Sequence, residues 1–244
     1  ILGDVCDKKL ITKLVKENKY IIHAAAKNII VSTKNPVEDF QTNIGGTLNL
    51  LVACKEYGIE KLVYTGSASV YGNPNTIPIS EDSAIYTLSP YAVSKLAGEN
   101  YCISFYESYN LPTSVVRYSN VYGLNQDPKN PYCGVISKFF ANAINDIPIN
   151  IHGDGEQTRS FCYVEDLIDG LISLMNSSES GPINIGNPNE FSIKELADLI
   201  KNLINPNLKF EYKELPSDDP KQRQPSIELA KNVLNWEPKT ELKD

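Results

Sequence analysis

An α/β fold is what this sequence predicts: a parallel sheet with helices on both faces, followed by a smaller α/β region. Three observations carry that expectation. Short apolar runs alternate with amphipathic stretches, the rhythm of βα units. Three of the runs in the first half are apolar on both faces, as strands covered by helices on both sides require. After Tyr122 the elements shorten and Asn, Pro and Asp punctuate more densely, marking a change of unit.

Taken in order, the strand candidates of the first half are Tyr20 to Ala24 (YIIHA), Lys61 to Thr65 (KLVYT) and Thr113 to Tyr118 (TSVVRY). Between the first two, a helix over Pro36 to Tyr57 puts Val37, Phe40, Ile44, Leu48, Leu51 and Val52 on one stripe, with Gly58 placed as a left-handed cap. A second long helix spans Pro90 to Tyr109, with Ser89 as N-cap and Pro90 at the first helical position. Further helices are predicted over Val135 to Asn145, Val164 to Met175 and Ile193 to Ile204, the last opening on a capping box, Ser192-Ile-Lys-Glu195. Short strands at Ile149 to Ile151, Ile183 to Ile185 and Leu208 to Tyr212 interleave with them. The boundary falls near Tyr118 to Leu124, giving a first domain over residues 1–120 and a second over 121–244 that returns in part to the sheet. No internal repeat or low-complexity tract appears.

The chain has 244 residues, 41% of them hydrophobic, enough to fill a core and to exclude global disorder. Its 23 Lys+Arg against 30 Asp+Glu leave a net charge of −7, which argues against nucleic acid as partner. A small anionic ligand needs only a few well-placed basic groups. Five cysteines stand singly with no C-x-x-C pair, reading as free thiols in a reducing, cytoplasmic setting. Two histidines, His23 and His152, argue against a multi-histidine metal site, and no metal is expected. No apolar run reaches the ~20 residues of a membrane-spanning helix, so no membrane partner is expected.

The segment richest in chemistry is Ser89-Pro-Tyr91-Ala-Val-Ser-Lys95. Tyr91 falls in the first helical turn and Lys95 four residues on, on the same face. A lysine there lowers the phenol below its ordinary ~10 and favours a phenolate that acts as general base. Spacing alone is also met by chance in a chain with 14 tyrosines. Upstream, an apolar strand runs into Thr65-Gly-Ser67-Ala-Ser69-Val-Tyr71-Gly72. Ligands of open α/β sheets bind beyond the carboxyl ends of strands, so Ser67 is placed to hydrogen-bond a substrate hydroxyl while Tyr91 removes its proton. Alone, that segment also fits a plain serine-rich turn.

With these residues in this order, the chain resembles the extended short-chain dehydrogenase/reductases, in their NAD-dependent nucleotide-sugar epimerase/dehydratase branch. The resemblance runs over essentially the whole chain. It rests on Gly3-Asp4-Val5, His23-Ala-Ala-Ala26, Asn43-x-x-Gly46-Thr47, Ser67-Ala-Ser-Val-Tyr-Gly72 and Tyr91-x-x-x-Lys95. It continues through Arg117-Tyr-Ser-Asn120-Val-Tyr-Gly123, Gly153-Asp-Gly155, Arg159-Ser-Phe and Asp166.

The resemblance implies a Rossmann-like first domain that binds NAD and a second domain that binds the nucleotide sugar. Asp4 and Val5 would hold the adenine end of the cofactor. Ala24, Ala25 and Ala26 would let its backbone lie close, and Asn43 would brace the strand ends. Tyr91, Lys95 and Tyr118 would face the nicotinamide side. Ser67, Tyr91 and Lys95 are the implied catalytic residues. Ser67, Ser69, Asn120, Arg159 and Arg223 are the implied substrate contacts, the two arginines on the diphosphate. Arg223 reads equally as a solvated loop charge, and Ser226 stands where the family usually has an aspartate. His23 is assigned no chemistry, since a histidine on an apolar strand is more often packed than catalytic. A homodimer through the two long helices is implied too, although their apolar content also fits packing on their own sheet.

Branches of the family differ at the two positions after the serine. A 4,6-dehydratase of the dTDP-glucose type carries Asp-Glu there, and a UDP-glucuronate decarboxylase usually keeps the glutamate. This chain has Ala68 and Ser69, which cannot transfer protons as carboxyls do. Their absence points to 4-epimerisation of a UDP-hexose. Against it, Gly181 to Pro188 and the tail to Trp236-Glu-Pro resemble the decarboxylases. A non-catalytic nucleotide-binding protein on the same fold is the alternative of another class; retention of Ser67, Tyr91 and Lys95 together speaks against it.

The chain opens on Ile1, and no G-x-G-x-x-G turn occurs in it. A dinucleotide fold begins with a strand, a glycine-rich turn and a helix that receives the pyrophosphate. The sequence therefore predicts that the first βαβ units, ~60 residues at ~30 per unit, lie upstream, and that sheet edges here need covering.

Overall fold

A computed structural model describes residues 1–130, 133–214 and 222–243. Helix α1 (Lys8–Glu17) starts where the Asp7 carboxylate accepts from the Lys9 and Leu10 amides. It leads into β1 (Tyr20–His23). Asn28 caps the short α2 (Ile29–Lys34) in the same way, and Asn35 caps α3 (Pro36–Asp39). The path from α3 runs through a π-helical turn (Phe40–Gly46) into α4 (Thr47–Tyr57), which ends at Gly58 with φ +75°.

The helical path over Pro36 to Tyr57 thus exists, but the anticipated stripe buries only in part: Leu51 is fully buried and Leu48 packs on the core. Val37, Phe40 and Val52 are 64%, 58% and 49% exposed, while Thr42, Asn43, Gly46, Thr47, Leu50, Leu51, Ala53 and Cys54 face inward. The wider π turn changes the residues-per-turn count midway, so a stripe drawn at one constant period drifts off the core.

Strand β2 (Lys61–Thr65) is buried at every position and passes through Gly66 and Ser67 into a 3₁₀ turn (Ala68–Tyr71). Helix α5 (Pro90–Tyr109) begins where the Ser89 hydroxyl accepts from the Ala92 amide and ends at left-handed Asn110. Strand β3 (Thr113–Arg117), again wholly buried, follows, then β4 (Val121–Tyr122) and α6 (Val135–Ile144). Next come β5 (Ile149–His152), β6 (Thr158–Ser160), β7 (Cys162–Tyr163), α7 (Val164–Met175), β8 (Pro182–Asn184) and β9 (Glu190–Ser192). Helix α8 (Ile193–Ile204), opened by the Ser192/Glu195 capping box, β10 (Phe210–Lys213) and α9 (Glu228–Leu234) complete the chain.

The main sheet has four parallel strands in the order β1-β2-β3-β8, so the late strand β8 returns to the first sheet. Helices lie on both faces. On one, Val15, Leu51, Cys54 and Cys102 pack against Tyr64 and Val115. On the other, Leu171, Leu174, Ala230 and Trp236 pack against Val63, Val116 and Ile183. The remaining strands pair two by two, β5 with β10 and β4 with β7 in parallel, β6 with β9 antiparallel. A third core under α6 and α8 holds Phe139, Ile149, Ile151, Leu196 and Ile200. One expectation for β1 fails: Tyr20 and Ile22 are 54% and 47% exposed. The two alternate along the strand and so share one face, opposite Ile21, which packs against the first core.

Candidate active site

Two buried strands end side by side, and the polar residues gather there. At the end of β2 the Thr65 hydroxyl donates to the His23 carbonyl (2.9 Å), tying β2 to β1. The Thr65 carbonyl accepts from the ammonium of Lys95, a residue 4% exposed. Helix α5 can lie this close to β2 because residue 98 is glycine; a Cβ there would come 2.3 Å from the Tyr64 phenol oxygen. That phenol donates to the Lys95 carbonyl (3.2 Å), so Tyr64 supports the turn carrying Lys95.

Ser67 caps the 3₁₀ turn, accepting from the Ser69 amide, and its hydroxyl also hydrogen-bonds the Tyr91 phenol. Ser67, Tyr91 and Lys95 therefore meet at one strand end, with Tyr118, the residue after β3, beside them and hydrogen-bonded to Thr65. The acid–base balance differs from the sequence expectation. Burial pushes the Tyr91 phenol up to about 12, with Tyr118 and Asp39 acting in the same direction and the Ser67 hydrogen bond opposing. The Lys95 ammonium donates to the Thr65 carbonyl, and its own burial brings it down to about 8. His23 is 4% exposed, hydrogen-bonded to the Thr47 hydroxyl, and held at about 4 by burial and by Lys95. It is a neutral packed side chain.

A buried carboxylate that sequence reading missed underlies this group. Asp39 Oδ1 accepts from Ser32, from Ser94 (3.0 Å) and from Asn43 Nδ2 (2.6 Å). Asn43 also exchanges hydrogen bonds with the Lys27 backbone, and Ser94 reaches back to the Tyr91 carbonyl. Asn43 thus links the Lys27 backbone to Ser94, in the turn between Tyr91 and Lys95. Asp39 and Ser94 gave no motif to find. A second missed group is the buried pair Arg117–Glu99, whose signal was present: an arginine in an apolar strand, and Glu99 four residues beyond Lys95.

Two concavities flank the strand ends. A groove of about 410 Å³ is lined by Asp4, Val5, Ala24 and Ala25, among others. Here Ala24 and Ala25, which follow β1, are exposed, and Val5 packs on Gly46, where a Cβ would meet its methyl at 2.4 Å. The Cys6 amide donates to Asp4 and holds that carboxyl below its usual range, keeping an ionised acceptor at the rim. Ala26 and Asn43 do not line this groove. A cavity of about 600 Å³ is lined by Asn120, Gln126, Asn150, His152, Arg159 and Arg223, among others. Asn120 adopts φ +50° and its amide donates to the Ser160 carbonyl, which sets it across from Arg159. The Asp218 to Lys221 part of the segment preceding Arg223 lies outside the described residues. Ser69 lines neither concavity; its hydroxyl is buried with no partner among the described residues.

Residues 1–186 match the NAD dependent epimerase/dehydratase family. UDP-glucuronic acid decarboxylase 3 of Arabidopsis thaliana is 40% identical over 217 residues, covering 86% of this chain. The chain spans 62% of that relative's length. A putative UDP-glucose 4-epimerase of Methanocaldococcus jannaschii is 38% identical, over 99% of this chain and 79% of the relative. Among solved structures, the UDP-glucose 4-epimerase of Thermotoga maritima with UDP-glucose superposes with a TM-score of 0.95 at 29% identity, covering 99% of this chain and 79% of that one.

Proposed function

Since this chain belongs to the NAD dependent epimerase/dehydratase family, we propose that it belongs to an enzyme that epimerises a UDP-hexose at C4 through a transient 4-keto sugar. Ala68 and Ser69, directly after Ser67, carry that reading. By the family resemblance, 4,6-dehydratases carry Asp-Glu at this turn and decarboxylases usually keep the glutamate; here there is a methyl and a hydroxyl. The buried carboxylates near the site are engaged elsewhere, Asp39 with Ser32, Ser94 and Asn43 and Glu99 with Arg117, as is the half-buried Glu81 with the Asn184 amide.

The groove fits the cofactor on its own features. Asp4 offers an ionised acceptor for a hydroxyl or amine, and the exposed alanines leave room for a ligand's backbone. Held there, NAD would supply the hydride acceptance and return that epimerisation requires. Tyr91 takes the proton of the C4 hydroxyl and later returns it to the same oxygen. Ser67, already bonded to the phenol, passes its hydrogen bond to that oxygen and keeps it aligned. With its phenol pushed up to about 12, Tyr91 needs added positive charge nearby to work as a base; the ring of bound NAD would supply it, with Lys95 at the same strand end placed to hold the cofactor. Arg159 and Arg223 bind the diphosphate in the 600 Å³ cavity with Asn120, leaving the sugar free to present either face. A homodimer in the cytoplasm completes the proposal, supported by Val37, Phe40, Val52 and Val93 standing exposed on the two long helices, and by five free cysteines.

The decarboxylase reading is the second, favoured by the 40% identity to the Arabidopsis enzyme. One assay separates them. The protein is incubated with NAD and UDP-glucose or UDP-glucuronate, and sugar products and released CO₂ are measured. UDP-galactose from UDP-glucose is the expected result; UDP-xylose with CO₂ from UDP-glucuronate establishes the second reading instead. Tyr91→Phe should lower turnover by about 10²–10⁴-fold with UDP affinity unchanged. Full activity in that variant sinks the mechanism, and bound NAD with no UDP-sugar converted sinks enzymatic function altogether.

A further inference from the structure

We propose that Glu99, Arg117, Tyr71 and Asn184 form a positioning relay that couples the Arg223 segment of the nucleotide cavity to the helix turn bearing Tyr91 and Lys95. The proposal rests on the epimerase reading for its catalytic consequence, and on the hydrogen bonds themselves for the coupling.

The relay can be followed atom by atom. Tyr91, Lys95 and Glu99 recur every four residues along α5 and so share one face. Glu99 and Arg117, 2% and 5% exposed, form a two-pronged pair, Nε to Oε2 at 3.0 Å and Nη2 to Oε1. Arg117 Nη1 then donates to the Tyr71 phenol oxygen (2.8 Å) and to the Glu81 carbonyl (3.1 Å). The Tyr71 hydroxyl donates to Asn184 Oδ1 (2.8 Å), and Asn184 Nδ2 donates to the Ile79 carbonyl (3.0 Å). Ile79 sits in a short parallel bridge with Pro225: its amide donates to the Gln224 carbonyl and its carbonyl accepts from the Ser226 amide, each at 2.8 Å. Arg223 is the next residue back. It lines both the 600 Å³ cavity and a void of about 10 Å³ that it shares with Tyr71, Arg117 and Asn184.

Stability alone is a poor reason for this arrangement. A buried ion pair is often no more stabilising than apolar residues of the same volume. What a fully satisfied buried network does provide is a single registered geometry. This one joins six separate segments at the three places where registry matters. Tyr71 closes the 3₁₀ turn that Ser67 opens, Glu99 ties α5 to β3, and the Ile79–Pro225 bridge anchors the segment carrying Arg223. A displacement of about 1 Å between reacting groups can reduce turnover ~10²-fold, so registry has catalytic leverage.

Tyr71→Phe removes one hydroxyl from the middle of the relay and keeps the ring. The protein with NAD is assayed for kcat and KM with its UDP-sugar, and amide hydrogen exchange is followed with and without UDP. The relay predicts a kcat lowered about 10–100-fold with KM and the Kd for UDP within about twofold. It also predicts that UDP slows exchange in residues 91–96 of wild type and not of the variant. Arg117→Lys, which keeps charge and loses the fork, should behave alike. Unchanged kcat and unchanged UDP protection in Tyr71→Phe overturn the relay. So does a uniform rise in exchange with lowered thermal midpoint, which marks a merely structural hydroxyl. If wild type converts no UDP-sugar, the epimerase reading fails on its own, and the UDP protection pattern still decides the coupling.

Discussion

At Lys95 two requirements oppose each other. The amine must sit within reach of the strand ends, and burial there lowers its pKa from 10.5 to about 8. Below pH 8 both folded and unfolded chains carry the proton, and the folded state bears the desolvation penalty in full. Between pH 8 and 10.5 the unfolded chain still holds the proton that the folded chain has released, so stability rises with pH across that window. At ~1.36 kcal/mol per unit, the effect is at most about 3 kcal/mol. Urea unfolding of wild type and Lys95→Met from pH 7 to 10.5 should show wild type gaining on the variant above pH 8; a flat difference would mean that Lys95 titrates normally. The Tyr-x-x-x-Lys spacing that singled out this residue is legible in sequence. The direction of its pKa, and that of Tyr91, is not, because both follow chiefly from burial, which segments distant in the chain assemble only on folding.

Elements show the same division. Helix α5 was legible from its Ser89-Pro90 start and its length, but its height above β2 is set by Gly98 against Tyr64. Gly98→Ala would favour the isolated helix by about 1 kcal/mol. In the folded protein its Cβ meets the Tyr64 phenol at 2.3 Å, and overpacking of this kind is worth about 1–3 kcal/mol in the opposite direction. Thermal denaturation should therefore show a lowered midpoint, with activity reduced because Tyr64 also supports the Lys95 carbonyl. A raised midpoint would mean that the contact relaxes freely. Helix α2 was missed for a physical reason: its run Ile-Ile-Val-Ser-Thr is β-branched at most positions and reads against a helix. The Asn28 cap and the Ser32–Asp39 hydrogen bond override that preference. Strands β4, β6, β7 and β9, two or three residues each, are too short to show any period.

Across the whole molecule, the sheet is held from its far side by the last elements of the chain. Trp236, 5% exposed, packs with Val63, Val116 and Ile183, and its indole donates to the Asp166 carbonyl at 3.0 Å. Asp166 in turn accepts from the Thr240 amide, clasping the tail to α7. Trp236→Ala should cost about 3–5 kcal/mol, measured as a loss of unfolding free energy by circular dichroism; a change under about 1 kcal/mol would show that the tail packs without bracing the sheet. What the sequence by itself determined is the class of fold, the run of the main strands and long helices, and the family, because period, caps and ordered motifs are local and survive in one dimension. Only the tertiary structure decided which faces of β1 and of the Pro36 to Tyr57 path are covered, which way Tyr91 and Lys95 titrate, and that Glu99, Arg117, Tyr71 and Asn184 meet. Those outcomes depend on desolvation and on contacts between residues as far apart as Tyr71 and Asn184, and neither is encoded at any single position.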